Sequence, residues 1–512
     1  MPGGLSVISA VDLAISLIPK RYGKCLIDTC SAFKNADNEI SERILRIESC
    51  WKRTSLQLDF LGRVWEDLDV DHQDIQNEIL TVLHSKLAAA GSKINSFLKE
   101  RSATWNTDSE ITPPKVVIKR FKYASLKEYL DKTIADMESW QKQFDPSWFL
   151  IMRIAGQHVD KELDCTSQES RTITTASSIR DLLKENPQQA ISVFLPEDGL
   201  KSAKTVEIPF TSAKILQRAG SNKWLILDSV SCDFLPDLHQ RRKAVRDLAR
   251  KLTRTDPSTF SLLNCAGVVT EKTSNEFKLV FKTPDNMSDP QTLRASLMSR
   301  DINHSLSNRF RLARQLARAV CSLHTFGLVH KSIRPENIIL FRDQESKLGS
   351  AFLLGLEKVR PEEGRTRLTG DADWEKNLYR HPQRQGLKLQ DPYVMQHDIY
   401  SLGVCLLEIG LWDSFVQYTD LTSDPVPHQG YQFSTKVPDR SGFSEFVKGQ
   451  LLASARDPLP RQMGSKYAEI VETCLTCLDE GNEHFGNESD FQDEDGVLVA
   501  VRYIEKLSNI SV

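Results

Sequence analysis

The spacing of apolar residues changes once along this chain, and that change limits the folds open to it. Up to about residue 100 they recur at threes and fours. Ile40, Ile44, Ile47, Trp51, Leu58 and Leu61 form one such stripe, and Ile75, Ile79, Leu83, Leu87, Ile94 and Leu98 a second. This is the period of amphipathic helices. Asp37 is the expected cap of the first, and Asp71 or Asp74 of the second. Two long antiparallel helices with a short joint are the simplest packing. Ser102 to Pro114 has no period, 125 to 157 looks helical with a break at Asp145-Pro146, and Cys165 to Ser178 is rich in Ser and Thr. After about 190, short β-branched runs take over: Ile191–Leu195, Trp224–Leu227 and Phe277–Phe281, with a basic helix from Leu238 to Leu252 among them. Helical patterns return from Ser307. The expected fold is multidomain. An all-α helical bundle with brace helices spans 1–160, a Ser/Thr-rich linker 161–189, and a two-lobed α+β domain 190–512.

Composition narrows the function classes. The 512 residues carry 66 basic and 69 acidic side chains, a net charge of −3. Such a chain makes no broad positive field for a nucleic-acid backbone, so nucleic acid is not an expected partner. Ten Cys in a chain this long do not form a disulfide scaffold. The apolar stretch Leu5 to Ile18 is interrupted by Asp12 and falls short of the roughly 18 residues a membrane span needs. No Lys or Arg precedes it, and Pro19-Lys20-Arg21 follows, unlike a secretory leader. The expected address is the cytoplasm, with recruitment to a membrane surface as an option.

Chemistry concentrates in His330-Lys331-Ser332-Ile333-Arg334-Pro335-Glu336-Asn337. A long amphipathic helix precedes this segment and the apolar run Ile338-Ile339-Leu340 follows it. Tyr379-Arg380-His381-Pro382 and Asp398-Ile399-Tyr400-Ser401-Leu402-Gly403-Val404 come later, in that order. Together they resemble the catalytic loop, the end of the activation segment and the large buried helix of a protein kinase. The resemblance covers roughly residues 190 to 512 and implies the two-lobed kinase fold. It also exposes the departures. Ser332 stands where a kinase needs the Asp that orients the attacking hydroxyl, and Leu353 stands where an Asp holds Mg²⁺. An Asp or Leu of Trp224-Leu225-Ile226-Leu227-Asp228 falls where the phosphate-pairing Lys belongs, and the helix after it offers Asp247 but no Glu. Losing a positioned base alone costs about 10²–10⁴ in rate. No catalytic set is intact, and the reading is a pseudokinase. His330 and Asp398 are expected to brace the loop. No cofactor is expected, and residual ATP binding through Asn337 and Arg334 stays open. An atypical active kinase and a non-catalytic scaffold are the alternatives.

The N-terminal region has its own signature. Ser9, Asp12 and Ser16 mark a narrow polar stripe on an otherwise apolar helix, and Lys20, Arg21 and Lys24 follow. Such a helix either lies buried in a bundle or meets an anionic membrane interface. On the second reading Leu5, Ile8, Leu13, Leu17, Lys20, Arg21 and Lys24 are the contact residues. Gly4-Leu5-Ser6-Val7, Tyr22-Gly23-Lys24, Ala32-Phe33-Lys34-Asn35-Ala36-Asp37 and Ile44-Leu45-Arg46-Ile47-Glu48 resemble the fungal HeLo domain of prion-inhibition and propagation proteins. The resemblance implies a helical domain that disrupts membranes when it oligomerises, in non-self recognition or cell death. Protein partners or self-association, and membrane lipid on activation, follow from it.

Smaller signals have plainer readings. Cys474 and Cys477 form a CxxC within a helical pattern and are read as core. His324 and His381 are read as structural. Lys115 to Lys122, Gln240 to Lys243 and the acidic run Glu488 to Asp495 are read as solvated surface.

Overall fold

The computed structural model describes residues 7–34, 38–68, 70–99, 124–141 without 139, short pieces between 159 and 196, and, with brief gaps, 203–482. The chain divides into two compact units, residues 1–183 and 184–512. The linker assigned to 161–189 falls almost wholly outside the described residues, as do Leu5, Asp37, Lys115 to Lys122 and Glu488 to Asp495.

In the first unit α1 (Val7–Ser31) packs against both α2 (Asn38–Val64) and α3 (Val70–Lys99). Helix α1 continues past the apolar stretch that ends at Ile18 and runs through Pro19. Proline removes one backbone bond and crowds the preceding turn, yet burial on two partner helices outweighs that cost, with Pro19 itself buried. Lys20 pairs with Asp59 and Lys34 with Glu48, so α1 and α2 are antiparallel. Gly23 lets them approach: a Cβ there would lie 2.1 Å from the Trp51 ring. Helix α3 starts at Val70, ahead of the expected caps, so Asp71 sits inside its first turn. A further helix, α4 (124–138), runs parallel to α2, with Arg43 on Asp131 at 2.8 Å and Arg46 on Glu138 at 2.9 Å. These surface pairs contribute little. Burial of Trp140, whose Nε1–H donates to the Ile79 carbonyl at 3.0 Å, contributes about 2–3 kcal/mol.

The second unit opens with a five-stranded antiparallel sheet. Its strands are β1 (Lys204–Glu207), β2 (Lys214–Gln217), β3 (Trp224–Val230), β4 (Cys265–Glu271) and β5 (Glu276–Lys282), in the order β1-β2-β3-β5-β4. Of the run Ile191–Leu195, expected as a strand, the described residues 192–195 contribute an isolated bridge from Phe194 to Val268. Helix α5 (Leu238–Thr253) lays Val245, Leu248, Ala249 and Leu252 toward β4 and turns its basic face outward. A three-stranded sheet follows, ordered β6 (Ser288–Thr292), β8 (Ile338–Arg342), β9 (Ser350–Leu353). Thr292 and Ser305 cap α6 (Leu293–Met298) and α7 (Leu306–Thr325) with their side-chain oxygens. Helix α8 (Met395–Leu411) is buried from Met395 to Gly410, as its nearly unbroken apolar sequence requires, and packs against α7 and α10 (Ser465–Leu475). Between them in sequence lies α9 (Ser441–Arg456). Among the described residues, no helix is long and apolar enough to cross a membrane.

Candidate functional site

The loop His330 to Asn337 lies between β7 (Leu328–Val329) and β8, above the start of α8. Asp398 in the first turn of α8 organises it. Its carboxylate accepts from the N–H of His330 at 2.7 Å, the N–H of Lys331 at 2.9 Å, the Tyr393 hydroxyl at 2.7 Å and His324 Nε2 at 3.1 Å. Burial would raise this carboxyl, but the His324 hydrogen bond, the electrostatic influence of the neighbouring His324 and His330 rings, and the Tyr393 hydrogen bond outweigh it and hold it at about 2. Lys331 takes a left-handed φ of 66°, which an L-residue adopts only under constraint. The Asp398 contact supplies that constraint.

The imidazole of His330 spans the loop. Nδ1 accepts from the Ser332 N–H at 3.2 Å, and Nε2 faces the Leu354 carbonyl at 2.8 Å. A carbonyl only accepts, so the proton sits on Nε2. Asn337 is turned inward as well: its Nδ2 donates to the Ser332 carbonyl at 2.7 Å and to Ser332 Oγ at 3.1 Å. Leu353 ends β9, is buried, and offers no ligand for a hard cation. The next residues form a turn in which Gly355 has φ +75°, and a Cβ there would lie 2.2 Å from the Asn337 side chain. Arg334 is half-buried, and Asp247 is spent on Arg246 and Arg250 of its own helix. So the structure brings His330, Ser332, Asn337 and the Leu353–Gly355 segment together around internal hydrogen bonds. The N-terminal candidates belong to the other unit. There Ile8, Leu13 and Leu17 lie on α1, Lys20 is engaged by Asp59, and Arg21 and Lys24 are exposed.

A second cluster was not anticipated. Arg294 of α6 is fully buried. Its guanidinium donates to Glu336 at 2.9 Å, Glu408 at 3.1 Å, the Tyr379 hydroxyl at 2.6 Å and the Val416 carbonyl at 3.2 Å. Tyr379 passes its own proton toward Glu408 at 2.9 Å. The Pro335-Glu336-Asn337 turn, the Tyr379 segment and the end of α8 therefore meet on one cation. Burial would raise the Glu336 carboxyl, but Arg294 and then Arg334 bring it below its ordinary range. Burial pushes Glu408 up to about 7 against the pull of Arg294, the Phe415 N–H and Tyr379. The sequence signal for Glu408 was a single carboxylate in the apolar run Leu402 to Leu411, where a charge demands a partner.

These groups set the pH response. The folded pKa of Glu408 lies above its ordinary 4.5, so its contribution is fully present below 4.5 and lost as pH rises through about 7. His381 works in the opposite sense. Burial, with Lys448, lowers it to about 4, so its contribution is present above 6.5 and lost as pH falls through 4. The melting temperature of Glu408→Gln relative to wild type should therefore rise between about pH 5 and about pH 8. A difference that does not move with pH would mean Glu408 does not titrate in this range. Cys474 and Cys477 are buried, and Cys477 Sγ lies 3.2 Å from the Gln396 carbonyl. Burial raises both thiols, which makes them inert core. Among the described residues no group of His, Cys, Asp and Glu could hold a metal ion.

No family model matches this chain. About a fifth of it is similar to each of two proteins of Arabidopsis thaliana. A serine/threonine-protein kinase-like protein is 33% identical over 105 residues, and a U-box domain-containing protein is 31% identical over 104. These stretches make up 27% and 13% of the two relatives, so the chain spans well under a third of either. The likeness is to a kinase-like protein over a limited segment.

Proposed function

We propose that residues 184–512 form a pseudokinase, a protein-kinase-like unit that has lost phosphoryl transfer, and that it governs a helical, membrane-directed unit at 1–183. One observation carries the first half. The positions at which a kinase places its base, its principal metal ligand and its phosphate-pairing Lys are filled by residues turned to the protein's own core and hydrogen bonds. Ser332 stands at the base position and is hydrogen-bonded by Asn337. Buried Leu353 stands at the metal position. Asp228, on the third strand where a kinase carries Lys, accepts two backbone amides. The strand order of the five-stranded sheet, the loop braced by Asp398 and the likeness to a kinase-like protein support the same reading. The loop then serves as a rigid support, and the unit acts through its surface.

The second half rests on the resemblance of residues 4–98 to HeLo domains and on α1, which joins an apolar stretch to exposed Arg21 and Lys24 in one helix. Each basic residue near an anionic surface adds about 1 kcal/mol of attraction. Residues 1–183 alone should bind anionic vesicles and release an entrapped dye, and the full chain should do so less. Leu13→Glu and Leu17→Glu should abolish release while circular dichroism shows the helices intact. A helical 1–183 fragment that ignores anionic vesicles even when cross-linked into oligomers would leave a scaffold role instead.

A further inference from the structure

The turn Leu354-Gly355-Leu356 is gripped from two sides. On one side the Leu354 N–H donates to the Asn337 carbonyl at 2.7 Å, and its carbonyl accepts from His330 Nε2 at 2.8 Å. On the other, the N–H groups of Gly355 and Leu356 both donate to Oδ2 of Asp228, at 3.0 and 3.1 Å. Asp228 is 1% exposed and sits on β3, between β2 and β5 of the five-stranded sheet. The turn follows β9, the edge strand of the other sheet. One carboxylate thus ties the two sheets together. Bonds to an ionised acceptor are about twice as strong as neutral ones, and a buried carboxylate is tolerated only when such donors surround it. The left-handed Gly355, with no room for a Cβ against Asn337, sets the turn that aims both amides at one oxygen.

The grip continues downward. The loop that holds Leu354 is itself held by Asp398 through the N–H groups of His330 and Lys331. From α8 to β3 the connection is unbroken: Asp398, the loop, the turn, Asp228.

We propose that Asp228 is a latch, made of protein groups alone, that holds the five-stranded sheet closed onto the loop and turn so that both sheets move as one body. The latch rests on geometry and is independent of whether the unit transfers phosphate. It fixes the shape of residues 184–512 from within, as a docking platform needs, and whatever breaks it frees one sheet from the other.

Hydrogen–deuterium exchange on the full chain tests this. Asp228→Asn keeps the size and one acceptor oxygen but loses the charge; Asp228→Ala removes both; Asp247→Asn on the surface of α5 is the control. The amides of Gly355, Leu356 and β3 should exchange faster, about tenfold in Asp228→Asn and more in Asp228→Ala. The amides of His330 and Lys331, held by Asp398, should keep their rates, and the control should change none. Unchanged exchange at Gly355 and Leu356 in a folded Asp228→Asn would overturn the latch. So would an acceleration shared equally by His330 and Lys331, because Asp228 would then support global stability only.

Discussion

Replacing Arg294 with Met should cost the full chain about 3–5 kcal/mol, because it strands Glu336 and Glu408 as buried carboxylates without their cation. Native stability is only about 5–15 kcal/mol, so this single change should bring the second unit close to unfolding at room temperature. Urea denaturation followed by circular dichroism would show the midpoint collapse. Arg294→Lys should rescue little. One ammonium cannot reach Glu336, Glu408, Tyr379 and the Val416 carbonyl together, whereas the planar guanidinium does. Adding Glu336→Gln and Glu408→Gln to Arg294→Met should recover part of the loss, since the stranded charges cause most of it. A midpoint in Arg294→Met within experimental error of wild type would mean the cluster is solvated and holds nothing together.

Asp398→Ala should be comparably severe, about 4 kcal/mol, because four donors lose one acceptor at once and unsatisfied buried donors cost about 1–3 kcal/mol each. Lys331 would also keep its left-handed backbone without the contact that holds it. Asp398→Asn should fall between, since its amide group points protons at groups that are themselves donors. In the wild type the contribution of this carboxylate is present above its ordinary 3.8 and disappears as pH falls through about 2. Exchange of the His330 and Lys331 amides reads this directly and should accelerate strongly in Asp398→Ala. Protection there equal to wild type would show that the loop is held by something else.

The elements that were legible in the sequence are those with a strong period or a fixed spacing. The helix Leu238–Thr253 and the strands Trp224–Val230 and Glu276–Lys282 stood out because their apolar faces repeat over several residues. The loop stood out because eight residues keep a recognisable order. The length of α1 was not legible, since local propensity alone does not carry a helix through Pro19 and tertiary burial does. Phe194 lies in a β-branched run whose described residues, 192–195, hold an isolated bridge to Val268 in place of the expected strand. Arg294 gave no signal, because α6 has only six residues and shows no period. Asp228 could be placed near its position, but its amide partners lie 127 and 128 residues away, a separation no local pattern reports.

Phosphate transfer distinguishes the proposed pseudokinase, a kinase frame without its chemistry, from an active enzyme. Purified full chain would be incubated with Mg²⁺ and γ-labelled ATP and a general protein substrate, beside Ser332→Ala and Asn337→Ala variants. Incorporation by wild type should equal that of both variants and of a protein-free blank. Incorporation well above the blank that disappears in Asn337→Ala would contradict the proposal and make the unit an active, atypical kinase.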